Sequence, residues 1–199
     1  MIKKNFKLFI QILIFLIIPF SSQSYENHIL KIGDENAKVT VKVFSSLTCP
    51  HCASFHEKIF TKLKEEYIDK NKLKFEHHSF PLDLAALNAE KILSCAKSKN
   101  IAFEFLNEIY KKQNNWAVGS DINPINNSLI EIGLKLGLKK SSMDKCLLDE
   151  KIQEDILNGR IEAQKKYKIT STPTIYINEK KYDNKHEFKE FKKKIDKFF

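Results

Sequence analysis

Two cysteines lie three residues apart in the segment VTVKVFSSLTCPHCASFHEKIF (residues 39–60), at the point where one hydrophobic pattern replaces another. Three valines alternate with polar residues before the cysteines, which predicts a β-strand. After the cysteines, apolar residues recur at helical spacing, which predicts an amphipathic helix. The strand must therefore run directly into the helix at Cys49 and Cys52, and this restricts the chain to folds in which a strand end meets a helix start.

The two sulfur atoms are expected at the N-terminal end of this helix. Pro50 is favoured at the first helical position, where an N–H would be unpaired in any case, so Cys49 becomes the N-cap residue and Cys52 falls in the first turn. Residues three apart on a helix are neighbours and can form a disulfide. Free N–H groups and the positive end of the helix dipole favour a Cys49 thiolate, and His51 can add a donor or a positive charge. We predict a catalytic site of Cys49, Pro50, His51 and Cys52.

Three interpretations of the cysteine pair are open. A redox-active couple fits a C-x-x-C that follows a strand and opens a helix. A metal site would draw on Cys49, His51, Cys52 and His56. A structural zinc site usually has four ligands in two separated pairs, and the two other cysteines, Cys95 and Cys146, are single. The pattern favours the redox couple and predicts no bound metal, with an inert structural disulfide as the third interpretation.

The remainder of the chain alternates between strand and helix patterns. Two short extended patterns surround a turn at Gly33-Asp34, and residues 72–80 (KLKFEHHSF) predict the strand that completes a βαβ unit. Helical periodicity then dominates residues 84–167. The predicted helices are 84–98, 101–113, 126–137, 142–148 and 150–167, with stops at Asn114-Asn115 and Gly137.

The C-terminal part returns to strand patterns. Residues 170–178 predict a strand, residues 179–183 a short second one, and residues 186–198 a final helix. One face of that helix is expected to carry Phe188, Phe191, Ile195 and Phe198. Because neither flanking piece makes a complete sheet alone, the predicted fold class is α/β with an inserted all-helical domain. The predicted units are residues 25–83, 84–166 and 167–199.

The N-terminal 24 residues have the pattern of a secretory signal peptide. Three lysines precede an apolar run from Leu8 to Phe20, and the small residues Ser22 and Ser24 follow. We predict cleavage after Ser24. An uncleaved anchor is the alternative, although the run is shorter than the roughly 20 apolar residues that a spanning helix needs. Export predicts an oxidising compartment, the periplasm, in which disulfides persist.

The positive charge comes almost entirely from lysine. The chain carries a formal net charge of +9, and Arg160 is its only arginine. Nucleic-acid binding sites usually show arginine forks or aromatic platforms, and neither pattern is present. The charge therefore predicts a solvated lysine-rich surface and no nucleic-acid partner.

The motif CPHC, the helical insertion and the later STPT (residues 171–174) together resemble the DsbA family of bacterial thiol:disulfide oxidases, over essentially the whole of residues 25–199. The resemblance implies a thioredoxin fold and disulfide exchange through Cys49 and Cys52, with no cofactor besides that redox-active pair. It also implies that Thr172 and Pro173 form a cis-proline loop that binds substrate beside the sulfur atoms. X-Pro bonds are where cis peptides occur, and an ordinary trans proline opening an edge strand is the alternative.

The resemblance also implies partners. Reduced or unfolded exported proteins would be the substrates, and a quinone-linked membrane oxidase of the DsbB type would regenerate the disulfide of a monomeric enzyme. A disulfide isomerase or reductase of the same fold is the alternative activity, and a non-catalytic, chaperone-like binding protein is a second one. Members of the family commonly carry a buried acid six residues before the first cysteine. Val43 stands there in this chain, so the route by which Cys52 loses its proton is open.

The remaining cysteines and histidines yield structural expectations. In an oxidising compartment an even leftover pair most simply bonds, so Cys95 and Cys146 are predicted to form a structural disulfide, with two buried free thiols as the alternative. His77-His78 is expected at a solvated strand end, and His56 on a face of the active-site helix. Trp116 is expected to pack between helices of the insertion.

Overall fold

The structure is a computed structural model and describes residues 29–199, so the predicted signal peptide lies outside the described residues. Five strands of the described chain form one sheet: β1 (Leu30–Ile32), β2 (Val39–Ser45), β3 (Leu73–Ser79), β4 (Thr174–Ile177) and β5 (Lys180–Lys181). Their order is β1-β3-β2-β4-β5. Strands β2 and β3 are parallel, and the other pairs are antiparallel.

Strand β2 is central because both of its edges are paired and most of its side chains are buried. Val39 and Val41 are fully buried, and the strand pairs with β3 on one side and with β4 on the other. The chain enters β2 through a turn at Gly33, which has φ +103° and whose Cα would place a Cβ only 2.2 Å from the carbonyl oxygen of Leu73. The turn therefore requires glycine, for conformation and for space alike.

The parallel pair β2–β3 is connected by the active-site helix, α1 (residues 50–68). It begins as an α-helix at Pro50–Phe55 and contains π-helical segments at His56–Phe60 and Lys64–Ile68. Parallel strands need such a crossover connection. The βαβ unit predicted from the two hydrophobic periodicities is present.

Six helices lie between β3 and β4 in the described chain: α2 (Leu84–Ser94), α3 (Lys99–Lys111), α4 (Gln113–Trp116), α5 (Ile122–Lys135), α6 (Lys140–Leu148) and α7 (Glu150–Tyr167). Side chains of Asp83, Ser98, Asp121 and Asp149 cap α2, α3, α5 and α7 by accepting from backbone N–H groups of the first turn. The last helix, α8 (Phe188–Ile195), continues as a 3-10 turn at Asp196–Phe198.

This strand order, with a parallel βαβ unit and an antiparallel ββα unit in one sheet, is the thioredoxin fold, and the helices α2–α7 interrupt it between the two units. The predicted fold class is confirmed. The main hydrophobic core spans both parts, because residues of β2 and α1 pack in the same buried cluster as residues of α3 and α5.

Three local predictions were wrong. Asn114-Asn115 does not stop a helix but lies within α4, while α3 has already ended at Lys111. Phe198 is 40% exposed and does not join the buried face of α8. His77 and His78 are not solvated: they are 2% and 3% exposed, because carboxylates are packed against both rings.

Candidate active site

Cys49 and Cys52 lie at the start of α1, where the strand β2 ends. Cys49 is the N-cap residue in extended conformation (φ −80°, ψ 119°), and Pro50 opens the helix. The carbonyl oxygen of Cys49 accepts from the backbone N–H groups of Cys52 and Ala53, at 3.0 and 3.1 Å. Both thiols are free. Cys49 is 8% exposed and Cys52 is 1% exposed, so solvent and a reacting partner can reach only Cys49.

The surroundings shift the pKa values of the two thiols in opposite directions. The pKa of Cys49 is lowered to about 5, mainly because the Cys52 side chain hydrogen-bonds the Cys49 sulfur. Thr172 and the backbone N–H groups of Cys52 and His51 lower it further. Burial raises the pKa of Cys52 well above its ordinary value, and the neighbouring Cys49 raises it further. At neutral pH the reduced pair therefore holds one thiolate, on Cys49, and one thiol, on Cys52.

The loop before β4 lies against the sulfur atoms. The Thr172-Pro173 peptide bond is cis, and the Cys49 sulfur lies 3.4 Å from the carbonyl oxygen of Thr172, which accepts from the thiol when Cys49 is protonated. Thr174 secures the loop, since its hydroxyl donates to the carbonyl of Ser171 at 2.7 Å. The motifs CPHC (residues 49–52) and STPT (residues 171–174), which are far apart in the sequence, are thus adjacent in the fold.

The histidines take different positions around the site. Pro50 and His51 are exposed at the start of α1. His56 lies on the buried face of α1, where its Nε2 atom is 2.6 Å from Oδ1 of Asn107, and burial lowers the pKa of its imidazole to about 4. Within residues 29–199, no three His, Cys, Asp or Glu side chains gather in a geometry suited to a metal ion.

Two polar side chains that the sequence did not single out hold the active-site loop. Gln113, at the start of α4, donates from Nε2 to the carbonyl oxygens of Leu47 and Cys49 at 2.7 and 3.1 Å. The hydroxyl of Thr48 donates to Asp83, the N-cap residue of α2, at 2.7 Å. An aspartate just before a helical pattern could have marked Asp83 as a helix cap, whereas a lone glutamine at a helix end carries no pattern.

Cys95 and Cys146 are joined in a disulfide, with Cα atoms 6.2 Å apart. Cys95 ends α2 and Cys146 lies on α6. The bridge therefore joins two helices of the insertion. Trp116 is 1% exposed, and its indole N–H donates to the carbonyl oxygen of Ile109 at 2.8 Å, as expected for a packing residue.

A thioredoxin fold with a free C-x-x-C pair at a helix start defines a class of dithiol proteins, and comparisons with known proteins place the chain within it. A protein-family model described as thioredoxin matches residues 25–197. The crystal structure of Wolbachia pipientis alpha-DsbA1 superposes with a TM-score of 0.78 at 30% sequence identity, covering 85% of this chain and 90% of that one. The chain belongs to the thioredoxin-fold DsbA family of thiol:disulfide oxidoreductases.

Two curated relatives extend the comparison. A Rickettsia bellii protein named "Putative protein-disulfide oxidoreductase" is 32% identical over 147 residues, which are 74% of this chain and 56% of that protein. The "Disulfide bond formation protein D" of Bacillus subtilis is 28% identical over 175 residues, 83% of this chain and 75% of that protein. The chain thus spans little more than half the length of the Rickettsia relatives. Among residues 29–199, no helix has both the length and the apolar character needed to cross a membrane.

Proposed function

We propose that this protein is a thiol:disulfide oxidoreductase that introduces disulfides into exported proteins by exchange through Cys49 and Cys52. One observation carries the proposal: the pKa values of the two thiols are shifted in opposite directions. The pKa of Cys49 is lowered to about 5, and the pKa of Cys52 is raised. A stabilised Cys49 thiolate favours the reduced pair, and a pair whose reduced form is favoured is an oxidising disulfide.

The proposed exchange begins at Cys49, because Cys52 is almost fully buried. A substrate thiolate attacks Sγ of Cys49 in the oxidised pair. The Cys49–Cys52 bond breaks, its electron pair leaves with Cys52, and a mixed disulfide joins Cys49 to the substrate. A second substrate thiolate then attacks the substrate sulfur of that bond, and Cys49 leaves as a thiolate. The substrate loses two electrons, and the cysteine pair gains them.

Three features of the site would each have a role in this disulfide exchange. The start of α1 and the Cys52 thiol stabilise Cys49 as a leaving group, because they hydrogen-bond its anionic form. The loop at Thr172-Pro173 would bind a substrate backbone beside the sulfur. Gln113 and Thr48 keep the segment before α1 in place and do not contact the reacting atoms.

The compartment and the partners follow from the same proposal. Disulfide transfer requires an oxidising space outside the cytoplasm, which agrees with the signal pattern in residues 1–24. The pair must be reoxidised after each turnover, and a quinone-linked membrane oxidase of the DsbB type would accept its electrons. The names of the Bacillus and Rickettsia relatives, which refer to disulfide bond formation and to oxidoreductases, support this direction.

The experiment is an equilibrium titration of the Cys49–Cys52 couple in glutathione redox buffers, combined with oxidative refolding of a reduced protein substrate. We expect a potential well above the roughly −270 mV of thioredoxin and substrate oxidation that Cys49→Ala abolishes. A thioredoxin-like potential would instead identify a reductase. Faster reshuffling of a scrambled substrate than oxidation of a reduced one would identify an isomerase, and refolding that is unaffected by Cys49→Ala would identify a non-catalytic binding protein.

A further inference from the structure

A cavity of about 340 Å³ lies between β5 and the end of α8, and lysines surround it. The buried residues Ile177 and Tyr182 form part of its wall. The exposed residues of the wall include Phe198 and four lysines: Lys180 and Lys181 on β5, Lys194 on α8, and Lys197 in the 3-10 turn that follows α8. We call these four lysines, together with Phe198 and the adjacent Phe199, the basic patch.

Two phenylalanine rings of the basic patch are exposed to solvent. Phe198 is 40% exposed and Phe199 is 54% exposed. The Nζ atom of Lys72 lies 5.4 Å from the centroid of the Phe199 ring, so a further lysine borders the patch. Exposed apolar groups with a polar rim are typical of a surface that contacts a partner.

The basic patch carries an excess of positive charge. Asp183 is the acidic residue of the cavity wall, and its carboxylate lies 3.4 Å from Nζ of Lys181. Among residues 29–199, no carboxylate lies within ion-pair distance of the Nζ atoms of Lys180, Lys194 and Lys197. Three unpaired ammonium groups beside exposed aromatic rings favour an anionic partner.

The carboxylates that are neighbours of the basic patch in sequence are engaged elsewhere. Asp196 accepts from the hydroxyl of Tyr67 at 2.6 Å and lies 3.7 Å from Nζ of Lys192. Glu179, just before β5, forms an ion pair with Lys42. Neither carboxylate belongs to the cavity wall, so the charge of the patch lysines is not compensated from these positions.

The basic patch lies at the opposite end of the sheet from the cysteine pair. Strand β2 ends at Ser45 and leads from there to Cys49. Lys180 on β5 pairs with Ile177, which in turn lies opposite Val41, near the start of β2. The step from Val41 to Ser45 covers about 13 Å at roughly 3.3 Å per residue. A partner bound at the patch would therefore leave the Cys49 sulfur accessible.

We propose that the basic patch binds an anionic phospholipid surface. The lysines lie at the phosphate head groups, and the two phenylalanine rings reach the boundary of the acyl chains. Binding to a membrane surface strengthens with buried apolar area and with attraction to anionic lipids, and the patch supplies both. This surface is separate from the thiol chemistry, so the inference goes beyond the proposed function.

An acidic protein is the alternative partner for such a surface. Recognition of carboxylates favours arginine, whose planar fork binds a carboxylate at two points. The cations of the basic patch are all lysines, and a lysine is a flexible point charge that needs no fixed geometry in its partner. A fluid layer of lipid phosphates matches this property, so the residues favour the lipid surface.

The test measures flotation of the mature protein with lipid vesicles. The protein is prepared without residues 1–24, because the apolar run in that segment would bind lipid by itself. Vesicles of phosphatidylglycerol and phosphatidylcholine in equal amounts provide the anionic surface, and phosphatidylcholine vesicles provide a neutral one. We expect binding to the anionic vesicles only. Raising the salt concentration from about 0.1 M to about 1 M should abolish it, because the screening length falls from about 10 Å to about 3 Å.

Two variants separate the contribution of charge from that of apolar contact. Lys194→Gln/Lys197→Gln should lower the partition coefficient roughly 25-fold, because each lysine near an anionic bilayer contributes roughly a fivefold gain in affinity. Phe198→Ser should lower it roughly 3–10-fold through lost apolar burial and leave its salt dependence unchanged. All three positions are exposed, so the variants should melt at the temperature of the wild type.

Matched controls lie in the helical insertion. Lys135→Gln/Lys145→Gln removes the same charge from exposed positions on α5 and α6, and Leu148→Ser removes an apolar side chain that is 82% exposed. Each control should change the partition coefficient by less than about twofold, because a charge held beyond a Debye length from the lipid is largely screened.

Each outcome decides the proposal. Binding that requires anionic lipid, and that falls in Lys194→Gln/Lys197→Gln but not in Lys135→Gln/Lys145→Gln, supports it. Absence of wild-type binding to the anionic vesicles overturns it. Equal losses in the two lysine pairs also overturn it, because the overall charge of the chain would then drive binding. Poly-glutamate that binds as tightly as the vesicles, with no effect of Phe198→Ser, would identify an acidic-protein site instead.

The thiol chemistry is measured separately in the same variants. The rate of iodoacetamide alkylation of Cys49 should be the same in Lys194→Gln/Lys197→Gln, in Phe198→Ser and in the wild type, because the basic patch lies at the other end of the sheet. A failure of lipid binding therefore leaves the proposed function standing, and a failure of substrate oxidation leaves the lipid-binding surface standing.

Discussion

The side-chain amide of Gln113 donates to the carbonyl oxygen of Cys49 at 3.1 Å, so a residue of the helical insertion holds the residue that precedes the active-site helix. Gln113 is 5% exposed, and the same Nε2 atom binds the carbonyl of Leu47. The insertion therefore supports the reactive loop by direct hydrogen bonds, in addition to packing on the sheet.

Gln113→Ala should destabilise the protein by about 1–3 kcal/mol, the cost of leaving buried acceptors without their donor. Urea denaturation of the reduced protein measures this loss. Gln164→Ala is the control, because that glutamine is exposed on α7 and its replacement should cost less. Equal losses in the two variants would show that the Gln113 clamp contributes nothing specific.

Cys52→Ala should raise the pKa of Cys49 from about 5 towards the ordinary thiol value, because the hydrogen bond from Cys52 is the largest influence that lowers it. The rate of iodoacetamide alkylation as a function of pH measures the midpoint. The double variant Cys95→Ala/Cys146→Ala should leave that midpoint unchanged. If the midpoint in Cys52→Ala stays near 5, the helix start and the Thr172 loop alone stabilise the thiolate.

The reduced protein should gain stability relative to the oxidised protein as the pH rises from about 5 to about 8.5. The pKa of Cys49 is lowered on folding, from the roughly 8.5 of a free thiol to about 5, so the folded state binds fewer protons in this window and stability rises with pH. The raised pKa of Cys52 acts only above this window. Melting temperatures of both redox forms across the range measure the effect, and a constant difference between them would contradict the lowered pKa.

Removal of the second disulfide, in Cys95→Ala/Cys146→Ala, should lower the free energy of unfolding by roughly 4 kcal/mol. The bond closes a loop with a sequence separation of 51 residues, and the chain-entropy model assigns about that cost to a loop of this size. Calorimetry measures the loss, with Cys49→Ala as the control that removes a thiol but not this bond. A stabilised double variant would show that the bridge strains the insertion.

The strand, the turn and the helix start at the CPHC segment could be predicted from sequence, because each depends on local patterns. Alternating valines form β2, Pro50 opens α1 where an N–H is dispensable, and Cys49 consequently becomes the N-cap residue. Predicted helix bounds in the insertion differ from the observed ones mainly at the ends, where capping side chains such as Ser98 set the first residue. These features need only information from neighbouring positions in the chain.

The buried polar contacts depend on residues that are distant in sequence, and no local pattern marks them. His77 was predicted to be solvated, yet α2 covers it and brings Glu90 into hydrogen-bonding contact. Likewise, Gln113 became a functional candidate only when the packing of α4 placed it against the residue that precedes the active-site helix. The hydrophobic pattern specifies which face of an element is buried. Long-range packing decides which other element covers that face and which polar groups are buried with it. The absence of an acid at Val43 was therefore visible in the sequence, whereas the burial of His77 against Glu90 was not.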